Sequence, residues 1–156
     1  MNPKNNATTR TISLIERGTV IDHLDPNVVF TVVRILGIDD TIKDTVTVGT
    51  NLHSNVLGKK GIIKIANHFL SPQDVDKIAV VSPNATINII EDYKVKNKFK
   101  VSFPEVVEKI LRCPNPNCVT NVEKHPTRFR LAQKDPLMLF CTYCERYIAK
   151  EDIHVI

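Results

Sequence analysis

Four cysteines carry the clearest chemistry in this 156-residue chain: Cys113, Cys118, Cys141 and Cys144. They form a C-x4-C pair and a C-x2-C pair with 22 residues between them, and the first 112 residues hold no cysteine. A close pair supplies two thiolates from one tight turn, and an intervening loop can fold the second pair back onto the first. Four sulfurs then surround one tetrahedral ion at Zn–S distances of about 2.3 Å. Two disulfides, or a redox Cys141-x-x-Cys144, are the competing uses. Residues 1–10, MNPKNNATTR, lack the apolar stretch of a secretory signal, so a reducing, cytoplasmic setting is expected and disulfides lose their compartment. A redox pair would leave Cys113 and Cys118 without a role. One structural Zn²⁺ per chain is therefore expected, closed by four sulfurs and without an open position for catalysis. His125, between the pairs, reads as a loop residue.

Further polar residues stand out against apolar neighbours. Asp22-His23 ends an extended run, where it either contacts a ligand or enters the next turn. Lys64 interrupts Ile62-Ile63-Lys64-Ile65 as a single cation, either solvated or in contact with a ligand. Lys94, Lys96, Lys98 and Lys100 alternate, which places them on one strand face, either as a solvated edge or as a phosphate-binding surface. No glycine-rich phosphate loop, H-E-x-x-H or G-x-S-x-G is present. The pattern points to a binder or structural partner and away from an enzyme.

Composition narrows the classes further. Apolar residues make up 42% and charged residues 24%, as in ordinary soluble domains. No apolar run reaches the roughly 18–20 residues of a membrane span. Aromatics are 6% and tryptophan is absent, which disfavours a stacking platform for single-stranded nucleic acid. The formal charge of +4 counts neutral cysteines; four thiolates and one Zn²⁺ bring the chain to about +2.

The elements that must position these residues fall into two parts. Thr11–Glu16 reads as a strand, Gly18 as a turn, and Thr19–His23 as extended. Asp25-Pro26 opens a helix whose Val29, Val32, Val33 and Leu36 repeat at helical spacing, with Gly37 as its stop. Thr45–Leu52 and Lys60–Ala66 read as strands. Ser71-Pro72-Gln73-Asp74 opens a second helix that Pro83 ends, and Ala85–Ile90 and Tyr93–Phe99 follow as strands. This β-α-β-β-α-β order with an extra strand predicts an α+β fold: a ferredoxin-like split βαβ domain with an antiparallel sheet and both helices on one face. The chain divides into a tail (residues 1–10), this domain (residues 11–101) and a small β-rich zinc-ribbon or rubredoxin-like domain (residues 102–156). The last is too small to rely on a hydrophobic core alone.

Arg17–His23 (RGTVIDH), Lys60–Asn67 (KGIIKIAN), Ala85–Asn88, Cys113–Cys118 (CPNPNC) and Cys141–Glu145 (CTYCE) form an ordered set. With them the chain resembles the regulatory chain of aspartate carbamoyltransferase from about Ile12 to Ile153. The resemblance implies a non-catalytic allosteric subunit in pyrimidine biosynthesis. Its first domain would bind CTP as feedback inhibitor and ATP as activator. Its zinc domain would dock on the catalytic chain, and dimers of regulatory chains would bridge catalytic trimers. Carried over by position, the nucleotide site comprises Ile12, Ser13, Leu14, Ile15, Val20, Asp22, His23, Ile62, Lys64, Asn88, Ile90, Val95 and Lys98. Asn115, Asn117, Glu145 and Arg146 are expected at the catalytic-chain contact. Neither nucleic acid nor membrane is expected as a partner. The rival reading is a zinc-ribbon nucleic-acid-binding protein, supported by the basic strand and by Arg128-Phe129-Arg130.

Overall fold

Alternating isoleucines build the first sheet. In a computed structural model that describes residues 14–156, β1 (Gly18–Leu24) is followed by a 3-10 turn (Pro26–Val28) and α1 (Val29–Ile35). Then come β2 (Val46–Ser54), β3 (Gly58–Ala66), α2 (Pro72–Val81), β4 (Thr86–Glu91) and β5 (Lys94–Lys100). The strands lie in the order β2-β3-β1-β4-β5, every neighbouring pair antiparallel. The α+β expectation holds.

Register decides which face is which. Ile21 pairs with Ile63 on one side and Ile87 on the other. These three, with Ile65, pack against Val29 and Val32 of α1 and Ile78 and Ala79 of α2. Each such burial stabilises the fold by roughly 1.5–3 kcal/mol relative to exposure. The intervening side chains point away from both helices.

The helix ends follow the capping rules. The Asp25 carboxylate accepts from the Asn27 amide, and Pro26 begins the first turn. Ser71 and Asp74 form a reciprocal capping box, each accepting the other's backbone N–H at 3.1 Å. Gly37, at φ 68°, terminates α1 as expected.

The remaining elements are β6 (Val106–Glu108), β7 (Leu111–Arg112), the single turn α3 (Val119–Val122), β8 (Arg128–Gln133), β9 (Met138–Cys141) and β10 (Tyr147–Ala149). A 3-10 turn (Lys150–Asp152) and β11 (His154–Val155) follow. Strands β10-β9-β8-β6 form one sheet and β11-β7 a second. Their core gathers Val107, Leu111, Phe129, Leu139 and Ile148 around Cys113, Cys118 and Cys141. Val80 of α2 belongs to this second core, while its neighbours Ile78 and Ala79 belong to the first. One helix therefore serves both.

Three local expectations need correction. Thr11–Glu16 was expected as a strand; Thr11 to Ser13 lie outside the described residues, and Leu14 to Glu16 form no strand. Gly18 is the first residue of β1 and not a turn. There, at φ 137°, a Cβ would lie 2.1 Å from the Ile65 carbonyl oxygen, so the strands approach as only glycine permits. Tyr93 belongs to a two-residue hairpin loop, with Asp92 and Tyr93 both at positive φ (51° and 62°), as the right-handed strand twist favours.

Gly18→Ala is expected to destabilise the protein by about 2–4 kcal/mol, through a backbone clash and an unfavourable φ. Gly37→Ala, where nothing lies within 4 Å of the added carbon, should cost about 1 kcal/mol. Urea unfolding of the two variants measures both.

Candidate metal centre and polar sheet face

Two knuckles carry the cysteines. In the first, the Cys118 amide donates to the Asn115 carbonyl at 3.0 Å. The Asn121 side-chain amide then ties the loop down by donating to the carbonyls of Cys113 (2.8 Å) and Asn115 (2.7 Å). In the second, Glu145 takes φ 60°, and its amide donates to the Cys141 carbonyl at 2.9 Å. The second knuckle follows β9, which pairs with β8, and the Thr127 hydroxyl just before β8 donates to the Leu111 carbonyl just before the first knuckle.

All four Sγ atoms lie within 4.8 Å of one another. Cys113 and Cys144 are 3.6 Å apart, and Cys118 and Cys141 are 3.9 Å apart. A tetrahedral ion with bonds of about 2.3 Å requires sulfurs about 3.8 Å apart, so the four residues fit one ion. All four cysteines are free of disulfides. Donors converge on the sulfurs: the Thr120 hydroxyl lies 3.1 Å from Cys118 Sγ, and backbone amides reach Cys113, Cys141 and Cys144. Burial pushes the Cys113 and Cys141 thiols up. Burial acts on Cys144 in the same sense, but donors from Asn115 and Arg146 and its neighbouring cysteines outweigh it and bring it down to about 7. Thr120 and Asn121 were not singled out from sequence; their polar character just after Cys118 was the available signal.

The second site is the sheet face turned away from the helices. Register aligns Thr47, Lys64, Val20, Asn88 and Lys98 in one row across all five strands. Two irregularities add to it. Between Ile21 and Leu24, Asp22 and His23 together oppose Ile62, with His23 at φ 55°. In β5, Ile89 pairs with Asn97 but Ile90 with Val95, leaving Lys96 as an extra residue. That bulge puts Val95 on the face of Lys98 and Ile90. It also turns Lys94, opposite Glu91, to the other face, so the expectation that the four lysines share one face is not met.

Val20, Asp22, His23, Ile62, Lys64, Asn88, Ile90, Val95 and Lys98 thus come together on or beside one face. Ile15 is buried and Leu14 is exposed at 77%; Ile12 and Ser13 lie outside the described residues. Lys60, not selected from sequence, contributes an ion pair to Asp22 at 2.8 Å. It lies in β3, and only the β1–β3 pairing brings it to Asp22.

The electrostatics here are tight. Burial pushes the Asp22 carboxyl up, but the Lys60 ammonium and the His23 amide outweigh it and hold the group below its ordinary value of 3.8. Lys64 is 9% exposed; burial lowers its pKa, and the Asp22 charge offsets part of that. His23 Nδ1 is buried without a hydrogen-bond partner. Such a face can receive an anionic, hydrogen-bonding ligand.

Of the residues expected at a partner contact, Asn117, Glu145 and Arg146 are exposed. Asn115 is buried; its side chain accepts from the Asn117 amide at 3.1 Å and donates toward Cys144, so it shapes the knuckle from within.

Residues 10–102 match the family model "Aspartate carbamoyltransferase regulatory chain, allosteric domain", and residues 105–154 match the corresponding "metal binding domain". The chain belongs to the aspartate carbamoyltransferase regulatory chain family. It is 48% identical to the regulatory chain of Hyperthermus butylicus over 89% of this chain and 88% of that one. With the regulatory chain of Pyrococcus abyssi it shares 48% identity over 91% and 94%. With that of Bacteroides thetaiotaomicron it shares 42% over 93% and 94%. It is thus a regulatory and not a catalytic chain, with a metal-binding domain whose four cysteines are arranged to hold an ion. Among the described residues, no helix is long and apolar enough to cross a membrane.

Stripping the metal with a chelator is expected to unfold the second core while the five-stranded sheet persists, since a structural ion supplies folding free energy. Amide exchange read separately for β4 and β9 checks this. A lowered carboxyl pKa stabilises the fold above the unfolded value of 3.8 and loses that contribution as pH falls through the folded value. Asp22→Asn should therefore cost about 1–2 kcal/mol at neutral pH. Its stability should fall less steeply than wild type on acidification, as denaturant titrations at several pH values would read.

Proposed function

We propose that the sheet face turned away from the helices binds a nucleoside triphosphate, CTP as inhibitor and ATP as activator. On this reading the metal domain docks the chain onto the catalytic chain of aspartate carbamoyltransferase in the cytoplasm. The observation that carries the reading is the cross-strand row Lys64–Val20–Asn88–Lys98, flanked by Asp22, Lys60 and His23. Ammonium groups spread along a polyphosphate, Asp22 and Asn88 offer polar contacts to ribose or base, and Ile62 and Ile90 form apolar walls. Buried Lys64 favours a ligand that brings negative charge, because such a ligand offsets the desolvation of the cation.

The ion is Zn²⁺, one per chain, as four thiolates in a closed tetrahedral set favour. It performs no chemistry; it holds two knuckles that present Asn117, Glu145 and Arg146 to the catalytic chain. Paired regulatory chains then bridge catalytic trimers. The nucleic-acid alternative loses the support of Arg128-Phe129-Arg130. Phe129 is 1% exposed, Arg128 is paired with Glu108 at 3.0 Å, and Arg130 lies over Phe140.

Lys98→Ala should weaken CTP binding roughly tenfold, one charge-assisted contact's worth, while the assembly with the catalytic chain stays intact. Cys113→Ala should abolish that assembly. Calorimetric titration with CTP and size-exclusion analysis of the mixed chains read the two outcomes; normal CTP affinity in the first variant, or a normal complex in the second, would refute this division of roles.

A further inference from the structure

Lys109, Arg112, Lys124 and His125 line a cleft of about 450 Å³ beside the metal centre. All four are exposed. Among the described residues, no carboxylate lies within 4.0 Å of Lys109, Arg112 or Lys124; the ion pairs found are Lys60–Asp22 and Arg128–Glu108. Like charges gathered without ion-pair partners cost stability through self-repulsion.

The cleft is rigid. Asn121 on its wall is committed to the Cys113 and Asn115 carbonyls, and the Thr127 hydroxyl donates to the Leu111 carbonyl at 2.6 Å. His125 stacks edge-on against Tyr143 of the second knuckle, with ring centroids 4.8 Å apart. Both knuckles therefore fix its shape. Lys109 and Lys124 sit at φ 64° and 53°, a left-handed backbone that asparagine or glycine adopts at lower cost.

We propose that this cleft docks an acidic segment of the catalytic chain, extending the surface presented by the two knuckles. The inference rests on the docking role proposed above. A polypeptide carboxylate cluster fits better than a nucleic acid, because the charge is confined to one short cleft whose apolar lining, Pro126 and Ile156, offers no flat slot for a base.

The test is the affinity of the full-length, metal-loaded chain for its cognate catalytic chain over a range of salt concentrations. The double variant Lys109→Asn/Lys124→Asn removes charge while suiting the left-handed backbone; Lys109→Glu/Lys124→Glu reverses it. The asparagine variant should bind on the order of tenfold more weakly at low salt, with a shallower salt dependence. The glutamate variant should bind more weakly still. Metal content and CTP binding should be unchanged in both. Wild-type affinity and salt dependence in both variants would overturn the inference while leaving the general docking role standing. Failure of the wild-type chain to bind the catalytic chain would overturn both. Salt-sensitive binding of an RNA oligonucleotide that the asparagine variant loses, with catalytic-chain affinity unchanged, would assign the cleft to nucleic acid and also overturn it.

Discussion

Four sulfurs within 4.8 Å of one another are a demand as much as a feature. Burial drives Cys113 and Cys141 toward neutral thiols, and four thiolates this close repel each other. A divalent cation reverses both effects, since a coordinated thiol is deprotonated outright. The rest of the second core depends on this exchange. Its apolar residues are few, and three of the buried ones are the cysteines themselves. Remove the ion, and the core loses its centre as well as its fastener. The surface that Asn117, Glu145 and Arg146 present is then a consequence of the cage, because knuckle turns and not regular strands set their directions.

The sheet of the first domain obeys a second division of labour. One face is committed to two helices, and the other is left to polar and charged residues. Polar residues on the sheet face away from the helices are common; burying a lysine and a partly covered carboxylate there is not. Lys64 and Asp22 share that cost by charge, with Lys60 closing the pair to Asp22 at 2.8 Å. The His23 ring nitrogen without a partner lies in the same place. Strain, desolvation and an unmet hydrogen bond thus gather at one bulge, as they do where a ligand completes the structure.

Much of this was legible in the residues. Cysteine spacing is a local signal, and so are Asp25-Pro26 and the Ser71–Asp74 box; each depends on neighbours a few positions away, and each is realised. The helix-facing isoleucines followed from alternation. What could not be read were the departures from alternation. The extra residue Lys96 redirects Lys94, and the Asp22-His23 bulge sets two side chains against Ile62. A bulge is defined by its partner strand, so a single strand's sequence does not announce it. Lys60 was missed for the same reason, since its carboxylate lies 38 positions away in sequence and meets it only through β1–β3 pairing. Asn115, expected at a partner contact, is buried with its amide serving a sulfur.

How one domain can inform the other follows from α2. A ligand shifts an equilibrium only through differential affinity for two states, so something must differ between them at both ends. Ile78 and Ala79 lie in the first core and Val80 in the second, one residue apart on a helix capped firmly at Ser71. Five residues after Val80 the chain reaches Ala85, whose carbonyl accepts from Val101 at the exit of β5. Between them run β4 and β5, carrying Asn88, Ile90, Val95 and Lys98. Val101 thus ties the end of β5 to the segment after α2, and Val80 packs α2 into the second core. Close-packed cores resist continuous deformation and favour discrete arrangements. α2 is the element that the two cores share, so a shift between two states that reaches both passes through it.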